Sequence, residues 1–145
     1  MKQVHLITDG ACLGNPGPGG WAYVLRFGKH VREMSGSVPH TTNNRMELTA
    51  AIEGLRSLKE GCKVEVITDS EYVKNGITTW IHGWKRNGWK TAAKKPVVNQ
   101  DLWMELEQAA SDHEVQWTWT KGHANHEDNN RCDELANEAI RRMEN

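Results

Sequence analysis

Two spacings of hydrophobic residues alternate along the chain and predict its secondary structure. Apolar runs and apolar–polar alternation, which are typical of strands, cover residues 4–9, 21–27, 30–38, 64–69 and 115–119. Apolar residues at helical spacing cover residues 44–58, 101–110 and 132–143. Trp80 and Trp84, four residues apart, share one face of a further helix. Because a helix between two parallel strands gives a right-handed crossover, this order of elements predicts an α/β protein.

The first strand has a near-copy later in the chain. Residues 4–10 read VHLITDG and align without a gap with residues 64–70, VEVITDS. If the two segments are neighbouring parallel strands, Asp9 and Asp69 lie at their carboxyl ends, about 5 Å apart. Two carboxylates about 4 Å apart repel by roughly 4 kcal/mol at an effective dielectric near 20. The repeated segment therefore predicts a cation site.

Two further acids have comparable positions. Asn44 and Glu47 resemble a capping box, which predicts Glu47 in the first turn of its helix, beside the buried stripe. Asp133 lies beside the buried stripe of the last helix. Either residue alone is explained equally well as a cap or a solvated acid. Together with Asp9 and Asp69 they favour Mg²⁺, and two such ions can activate water and stabilise a leaving oxygen at phosphorus.

Composition narrows the classes of protein. A chain of 145 residues is the size of one domain. The net charge of -1 means that a nucleic-acid partner must be held by a local basic patch. Three scattered cysteines argue against a disulfide framework and suit a reducing compartment. No segment has the length of a signal-peptide core or a membrane span, so we predict a cytoplasmic protein with no membrane partner.

Residues 72–100 supply such a patch, because they contain no Asp or Glu. The basic and tryptophan residues of this segment are Lys74, Trp80, Trp84, Lys85, Arg86, Trp89, Lys90, Lys94 and Lys95. Cations neutralise phosphates and indole rings pack on sugars or bases, which favours binding of nucleic acid. The alternative is a solvated helix with partly buried tryptophans beside snorkelling lysines.

With these motifs in this order, the sequence resembles the bacterial ribonuclease HI family along nearly its whole length. The matching segments are residues 8–10 (TDG), 14–20 (GNPGPGG), 42–48 (TNNRMEL), 68–70 (TDS), 80–82 (WIH), 88–91 (GWKT), 121–123 (KGH) and 131–136 (RCDELA). The resemblance implies a single ribonuclease H domain over residues 1–145 and a monomer. Its five-stranded mixed sheet has strand one in the centre, with helices on both faces.

The resemblance also implies an activity and its residues. The activity is endonucleolytic cleavage of the RNA strand of an RNA–DNA hybrid, leaving 5′-phosphate and 3′-hydroxyl ends. Two Mg²⁺ or Mn²⁺ ions are held by Asp9, Glu47, Asp69 and Asp133. His123 transfers a proton or assists product release, although a histidine at a strand end also has an ordinary structural explanation. A zinc site at His123, His126 and Cys132 is a weaker alternative, because no fourth ligand is evident.

Further positions match substrate contacts of the family. Trp80 and Trp84 match residues of a DNA channel, and Thr42 and Asn99 match a DNA-phosphate pocket. The basic protrusion corresponds to Lys85, Arg86, Trp89 and Lys90. Contacts to the minor groove and the RNA strand match Cys12, Asn15, Asn43 and Asn44, although such asparagines are also ordinary turn and cap residues.

Two positions depart from the family pattern, and two other functions stay open. His40 replaces an arginine at the edge of the phosphate pocket, and Glu71 replaces a base-contacting glutamine by a group that only accepts hydrogen bonds. A non-catalytic hybrid-binding module is one alternative, but a pure binder gains nothing from four acids beside phosphates. The other alternative is a nuclease of the same fold that acts on DNA.

Overall fold

A computed structural model of the chain describes residues 1–121 and 126–144. The strands are β1 (Lys2–Cys12), β2 (Gly17–Phe27), β3 (His30–Thr41), β4 (Cys62–Thr68) and β5 (Glu114–Trp119). The helices are α1 (Asn43–Arg56), α2 (Glu71–Asn75), α3 (Ile81–Arg86), α4 (Gln100–Ala110) and α5 (Glu127–Glu144). A π-helical turn, Gly76–Trp80, joins α2 to α3. No helix in the described ranges is long and apolar enough to cross a membrane.

The strands form one mixed sheet in the order β3-β2-β1-β4-β5. β1 pairs antiparallel with β2, and β2 with β3, whereas β4 is parallel to both β1 and β5. In the β1–β4 ladder Val4 faces Val64 and Thr8 faces Thr68. This register is the one that the gap-free alignment of the two segments predicts, so the central β1 and the five-stranded mixed sheet are confirmed.

Helices cover both faces of the sheet because β1 alternates its apolar side chains between them. Leu6 belongs to the larger core, which α1 and α4 cover. Ile7, the next residue, belongs to a smaller core with Cys132 and Ala136 of α5. Each of these side chains is at most 2% exposed. The predicted layers are therefore confirmed, and the two helices that carry Glu47 and Asp133 lie on opposite faces.

Two glycines let these helices approach the sheet closely. A Cβ atom on Gly10 would lie 2.5 Å from the backbone nitrogen of Glu47, and one on Gly20 would lie 2.2 Å from the carbonyl oxygen of Ala136. Real Cβ atoms essentially never make contacts this short. The absence of a side chain at Gly10 therefore brings the first half of α1 against the end of β1.

The start of α1 differs from the predicted capping box. Thr42 is the N-cap, and its hydroxyl accepts a hydrogen bond from the backbone N–H of Arg45 at 3.3 Å. The side chain of Asn15 accepts from the N–H of Asn43 at 2.9 Å. Because these two residues satisfy the first turn, the Asn44–Glu47 box is wrong. Glu47 lies in the second turn, within the buried stripe.

Two helix boundaries also differ from the sequence prediction. α1 ends at Arg56, with Ser57 as its C-cap, so the predicted extension to Leu58 is wrong. Trp80 and Trp84 do not belong to one regular α-helix, because the π-helical turn ends at Trp80 before α3 begins. Their rings nevertheless lie side by side, with centroids 6.1 Å apart.

Candidate active site

Three carboxylates meet at the carboxyl ends of β1 and β4. Asp9 lies in β1, Asp69 directly follows β4, and Glu47 enters from α1. One oxygen atom from each lies within 4.8 Å of the other two. The side chains line a cavity of about 430 Å³, whose walls also include Asp133 of α5. The structure thus brings the four predicted acids to one cavity, three of them in a tight cluster.

Burial makes this cluster electrostatically unfavourable on its own. Asp9 is 3% exposed and Glu47 is 5% exposed. Burial, followed by the charge of Asp69, raises the pKa of Asp9 to about 7. Burial and the charges of Asp9 and Asp69 also raise the pKa of Glu47 well above its usual value. Each charged carboxylate therefore disfavours ionisation of the next, and a nearby cation would relieve the repulsion.

The oxygen atoms also fit a cation. Glu47 Oε1 and Asp69 Oδ1 are buried and have no hydrogen-bond partner among the described residues. Buried oxygens without partners are costly, and carboxylate oxygens are the ligands that Mg²⁺ and Mn²⁺ prefer. Gly10 donates its N–H to Asp9 Oδ1 at 2.9 Å, which orients that carboxylate. The donor set is therefore suited to hard divalent ions.

Asp133 is held differently from the other three acids. It is half-buried, and Asn137, one turn later in α5, donates its side-chain amide to Asp133 Oδ1 at 3.2 Å. Asp133 lies outside the 4.8 Å cluster, although its charge contributes to the raised pKa of Asp9. His123 lies outside the described residues.

The residues predicted to contact the RNA strand surround the start of α1. Asn43 and Asn44 are exposed and line the same cavity as the acids. Asn15 caps the N–H of Asn43, as described above. Cys12 is half-buried, and its thiol lies 3.1 Å from the carbonyl oxygen of Gly14. The cap role therefore belongs to Thr42 and Asn15, whereas Asn43 and Asn44, the first two residues of α1, are exposed beside the acids.

The predicted phosphate-pocket residue Asn99 is fixed at both ends of its amide. It has a left-handed backbone, with φ of 62°. Arg45 donates to Asn99 Oδ1 at 3.2 Å, and Asn99 Nδ2 donates to the hydroxyl of Tyr72 at 3.0 Å. Arg45 also makes a two-bond ion pair with Asp101. Because Arg45 belongs to the first turn of α1, this network connects Asn99 to the helix that Thr42 caps.

The tryptophans of residues 72–100 differ in exposure. Trp80 is 41% exposed and meets Tyr72 edge-on, with centroids 5.9 Å apart. Trp84 and Trp89 are half-buried against the larger core. Trp84 lies against Trp103, with ring centroids 5.4 Å apart. Both interpretations of this segment therefore hold in part, since two indoles are packed and one is presented to solvent.

All cations of this segment except the half-buried Lys74 are exposed, and one of the exposed cations is paired. Lys85 donates to Glu107 of α4 at 2.7 Å. Arg86 and Lys90 are exposed and form no ion pair within the described ranges. Glu71, the departure from the family pattern, is exposed and lines the acid cavity. His40 is exposed at the end of β3.

The alternative zinc ligands have structural roles. His126 Nδ1 accepts a hydrogen bond from the N–H of Asn129 at 3.2 Å, at the start of α5. The Cys132 thiol is fully buried and lies 3.3 Å from the carbonyl oxygen of Ile7. Burial raises the pKa of this thiol, which disfavours the thiolate that zinc requires. Among the described residues, only Asp9, Glu47 and Asp69 form a group suited to a metal ion.

Comparison with protein families decides the assignment. The model of the RNase H family matches residues 1–141. The chain belongs to the RNase H family. It is 70% identical over 141 residues to "Ribonuclease H" of Solibacter usitatus, covering 97% of both chains. It is 63% identical over 136 residues to "Ribonuclease HI" of Neisseria meningitidis serogroup A, covering 94% of both.

Solved RNase H structures share the fold. LC9-RNase H1, described as a type 1 RNase H with the type 2 active-site motif, superposes with a TM-score of 0.87 at 35% identity. The match covers 96% of this chain and 72% of that one. LC11-RNase H1 in complex with RNA/DNA hybrid gives a TM-score of 0.75 at 26% identity, covering 98% and 99%. The resemblance to ribonucleases H stated from the sequence motifs is therefore confirmed.

Three residues of this RNase H site were missed by sequence reasoning. Tyr72 lines the acid cavity and accepts hydrogen bonds from Asn99 and from Trp103 Nε1. Arg45 orients Asn99, and Trp119 donates to the backbone carbonyl of Asp69 at 3.1 Å. The position of Arg45 between Asn44 and Glu47 is the one sequence signal available. Contacts of Tyr72 and Trp119 depend on tertiary neighbours, which periodicity does not reveal.

Proposed function

We propose that this RNase H family member hydrolyses phosphodiester bonds in the RNA strand of RNA–DNA hybrids. The cleavage is endonucleolytic and leaves 5′-phosphate and 3′-hydroxyl ends. The observation that carries the proposal is the three-carboxylate cluster, two of whose buried oxygens have no hydrogen-bond partner among the described residues. Family membership supports it, as does the RNA/DNA hybrid in the LC11-RNase H1 complex.

Two divalent ions, Mg²⁺ with Mn²⁺ as a substitute, complete this site. Asp9, Glu47 and Asp69 hold the ions together with Asp133, whose carboxylate lines the same cavity. Such ions supply an activated water and stabilise charge on the leaving oxygen. The role of the chain is to fix the carboxylates before substrate arrives, with Gly10 orienting Asp9 and Asn137 orienting Asp133. His123 serves in proton transfer or product release.

Substrate binding divides between two surfaces. Asn43 and Asn44, exposed beside the acids, are placed to hydrogen-bond to the RNA strand, where a 2′-hydroxyl distinguishes RNA from DNA. Asn15 and Cys12 make further contacts to the minor groove and the RNA strand. Residues that contact the DNA strand lie at the start of α1 and in residues 72–100, which we call the acid-free segment. They are Thr42, Trp80, Trp84, Lys85, Arg86, Trp89, Lys90 and Asn99. Glu71, at the start of α2 and lining the acid cavity, is a further substrate contact, at a position that touches a base in relatives.

The remaining parts of the proposal concern the state of the protein. We propose a single domain over residues 1–145 that acts as a monomer in the cytoplasm. Three cysteines without a disulfide in the structure are consistent with a reducing compartment. The net charge of -1 leaves hybrid binding to the local cations of residues 72–100.

One digestion experiment tests this function. Purified protein is incubated with labelled RNA–DNA hybrid, duplex DNA, duplex RNA and each single strand, with Mg²⁺ or with excess chelator. We expect cleavage of the RNA strand of the hybrid alone, only with Mg²⁺. Hybrid binding without cleavage would instead support a binding module. Cleavage of duplex DNA would support a same-fold DNA nuclease.

A further inference from the structure

Asp69 is the member of the acid cluster that lies outside regular secondary structure. Asp9 belongs to β1 and Glu47 belongs to α1, where ladder and helix hydrogen bonds fix the backbone. Asp69 lies in the bend between β4, which ends at Thr68, and α2, which begins at Glu71. The direction of its side chain therefore depends on what holds this bend.

Two side chains hold the bend. The Thr68 hydroxyl accepts a hydrogen bond from the N–H of Ser70 at 3.0 Å. The indole N–H of Trp119 donates to the carbonyl oxygen of Asp69 at 3.1 Å. Trp119 is the last residue of β5 and lies opposite Thr68 in the ladder. The N–H of Thr120 then donates to the carbonyl oxygen of Thr68 at 2.9 Å, so the two strand ends are joined where the acid begins.

We propose that Trp119 is a positioning residue for Asp69. Its hydrogen bond fixes the peptide group between Asp69 and Ser70, and so aims the Asp69 carboxylate at the oxygens of Asp9 and Glu47. The inference rests on the proposed function in so far as Asp69 binds a divalent ion. Metal affinity then depends on an indole of β5, a strand that carries none of the carboxylates.

The exposure of Trp119 supports this role. The residue is 40% exposed, whereas Trp103 in the core is fully buried. An indole with this exposure contributes less to stability through burial than a core tryptophan does. The hydrogen bond from its N–H is therefore the contact that distinguishes Trp119. Replacement by phenylalanine keeps an aromatic ring but removes the donor. A typical neutral hydrogen bond of this kind corresponds to about a fivefold change in an equilibrium.

The test is calorimetric titration of Mn²⁺ into the protein without substrate, followed by hybrid kinetics in Mg²⁺. We expect Trp119→Phe to weaken Mn²⁺ binding about fivefold and to lower kcat similarly, with an unchanged KM for hybrid. Trp119→His, which keeps a ring N–H donor, recovers part of the affinity. Trp117→Phe is the matched control, because Trp117 lies on the same face of β5 but packs against the larger core.

Three outcomes would overturn the inference. If Trp119→Phe lowers Tm but leaves Mn²⁺ affinity unchanged, Trp119 has only a structural role. A raised KM with unchanged Mn²⁺ affinity makes it a substrate contact. Equal losses in the Phe and His variants exclude the hydrogen bond as the cause. Failure of the proposed function gives a different result, since wild type itself would then leave the RNA strand of the hybrid uncleaved in Mg²⁺, whatever the Mn²⁺ affinity of Trp119→Phe.

Discussion

The acid cavity and the acid-free segment, residues 72–100, are built in opposite ways. Asp9 and Glu47 are buried on a long strand and a long helix, close to other acids. The acid-free segment runs through short helices and a π-helical turn into irregular backbone. Three of its non-glycine residues, Trp89, Lys94 and Asn99, have positive φ. One region fixes its charges in place, and the other keeps most of its charges in solvent.

This difference assigns different tasks to the two regions. Carboxylates that are buried close together lower the stability of the folded protein. Such clusters are typical of sites that bind an ion and carry out catalysis. Exposed cations and aromatic rings act on a polyanion through screened attraction and stacking, which do not require burial of the charged groups. Changes in the acid cavity should therefore act on kcat, and changes in the acid-free segment on KM and on salt dependence.

Replacing an acid gives the largest expected effect. In Asp69→Asn the cleavage rate in Mg²⁺ should fall on the order of 1,000-fold or more, because several kcal/mol of transition-state stabilisation is lost. Hybrid affinity in chelator should stay within about twofold of wild type. Single-turnover cleavage and fluorescence anisotropy measure the two quantities. Asp112→Asn, at an exposed turn, is the control. Retained cleavage in Asp69→Asn contradicts the metal assignment.

Removing the exposed indole tests the other region. Trp80→Ala should raise KM roughly 10-fold with little change in kcat, since stacking contributes about 1–3 kcal/mol per base. Trp84→Ala should also lower Tm, because Trp84 packs on Trp103 in the core. Steady-state kinetics and thermal unfolding separate the two variants. A fall in kcat alone for Trp80→Ala would remove the distinction between the regions.

The cost of the acid cavity should appear as a pH effect on stability. Burial and the charge of Asp69 raise the pKa of Asp9 to about 7 in the folded protein, from its ordinary value of 3.8. Between these values the unfolded chain loses the proton first, so stability falls as pH rises from about 4 through 7. Ion pairs with Arg45 and Arg26 lower the pKa values of Asp101 and Asp128, and the stability that these pairs contribute is lost only at more acidic pH.

Asp9→Asn removes the group that creates this cost. The variant should be more stable than wild type by about 1–2 kcal/mol at pH 8 in chelator, and similar to it at pH 4. Urea unfolding at the two pH values measures the difference. Asp112→Asn again serves as the control. A variant less stable than wild type at pH 8 would show that the charged Asp9 does not destabilise the folded protein.

Much of this contrast was available from the sequence. The repeated strand segment gave the β1–β4 register, because parallel pairing keeps equivalent residues opposite each other. It also placed Asp9 beside Asp69. Glu47 was placed one turn too early, since the cap role belongs to Thr42, and Asn15 from a distant loop satisfies Asn43. Long-range contacts of this kind leave no periodic signal.

The acid-free segment was predicted less completely for the same reason. Its lack of acids is visible in the sequence, but its backbone is not, because π-helical and left-handed residues depend on tertiary packing. The division between packed Trp84 and exposed Trp80 follows from where Trp103 of α4 lies. The pairing of Lys85 likewise needs Glu107, which is 22 residues away.

That pairing gives the smallest and most discriminating prediction. Arg86→Ala should weaken hybrid binding about threefold and reduce the slope of log affinity against log salt by about 1, if Arg86 neutralises one phosphate. Lys85→Ala should weaken hybrid binding less than Arg86→Ala does, because the Lys85 ammonium group is already paired with Glu107. In a Glu107→Gln background the Lys85→Ala loss should grow toward that of Arg86→Ala. Anisotropy titrations between about 50 and 200 mM salt resolve these slopes. Equal losses at Lys85 in both backgrounds would mean that the ion pair opens when hybrid binds, and that the cations of the acid-free segment, unlike the carboxylates, are not fixed in place.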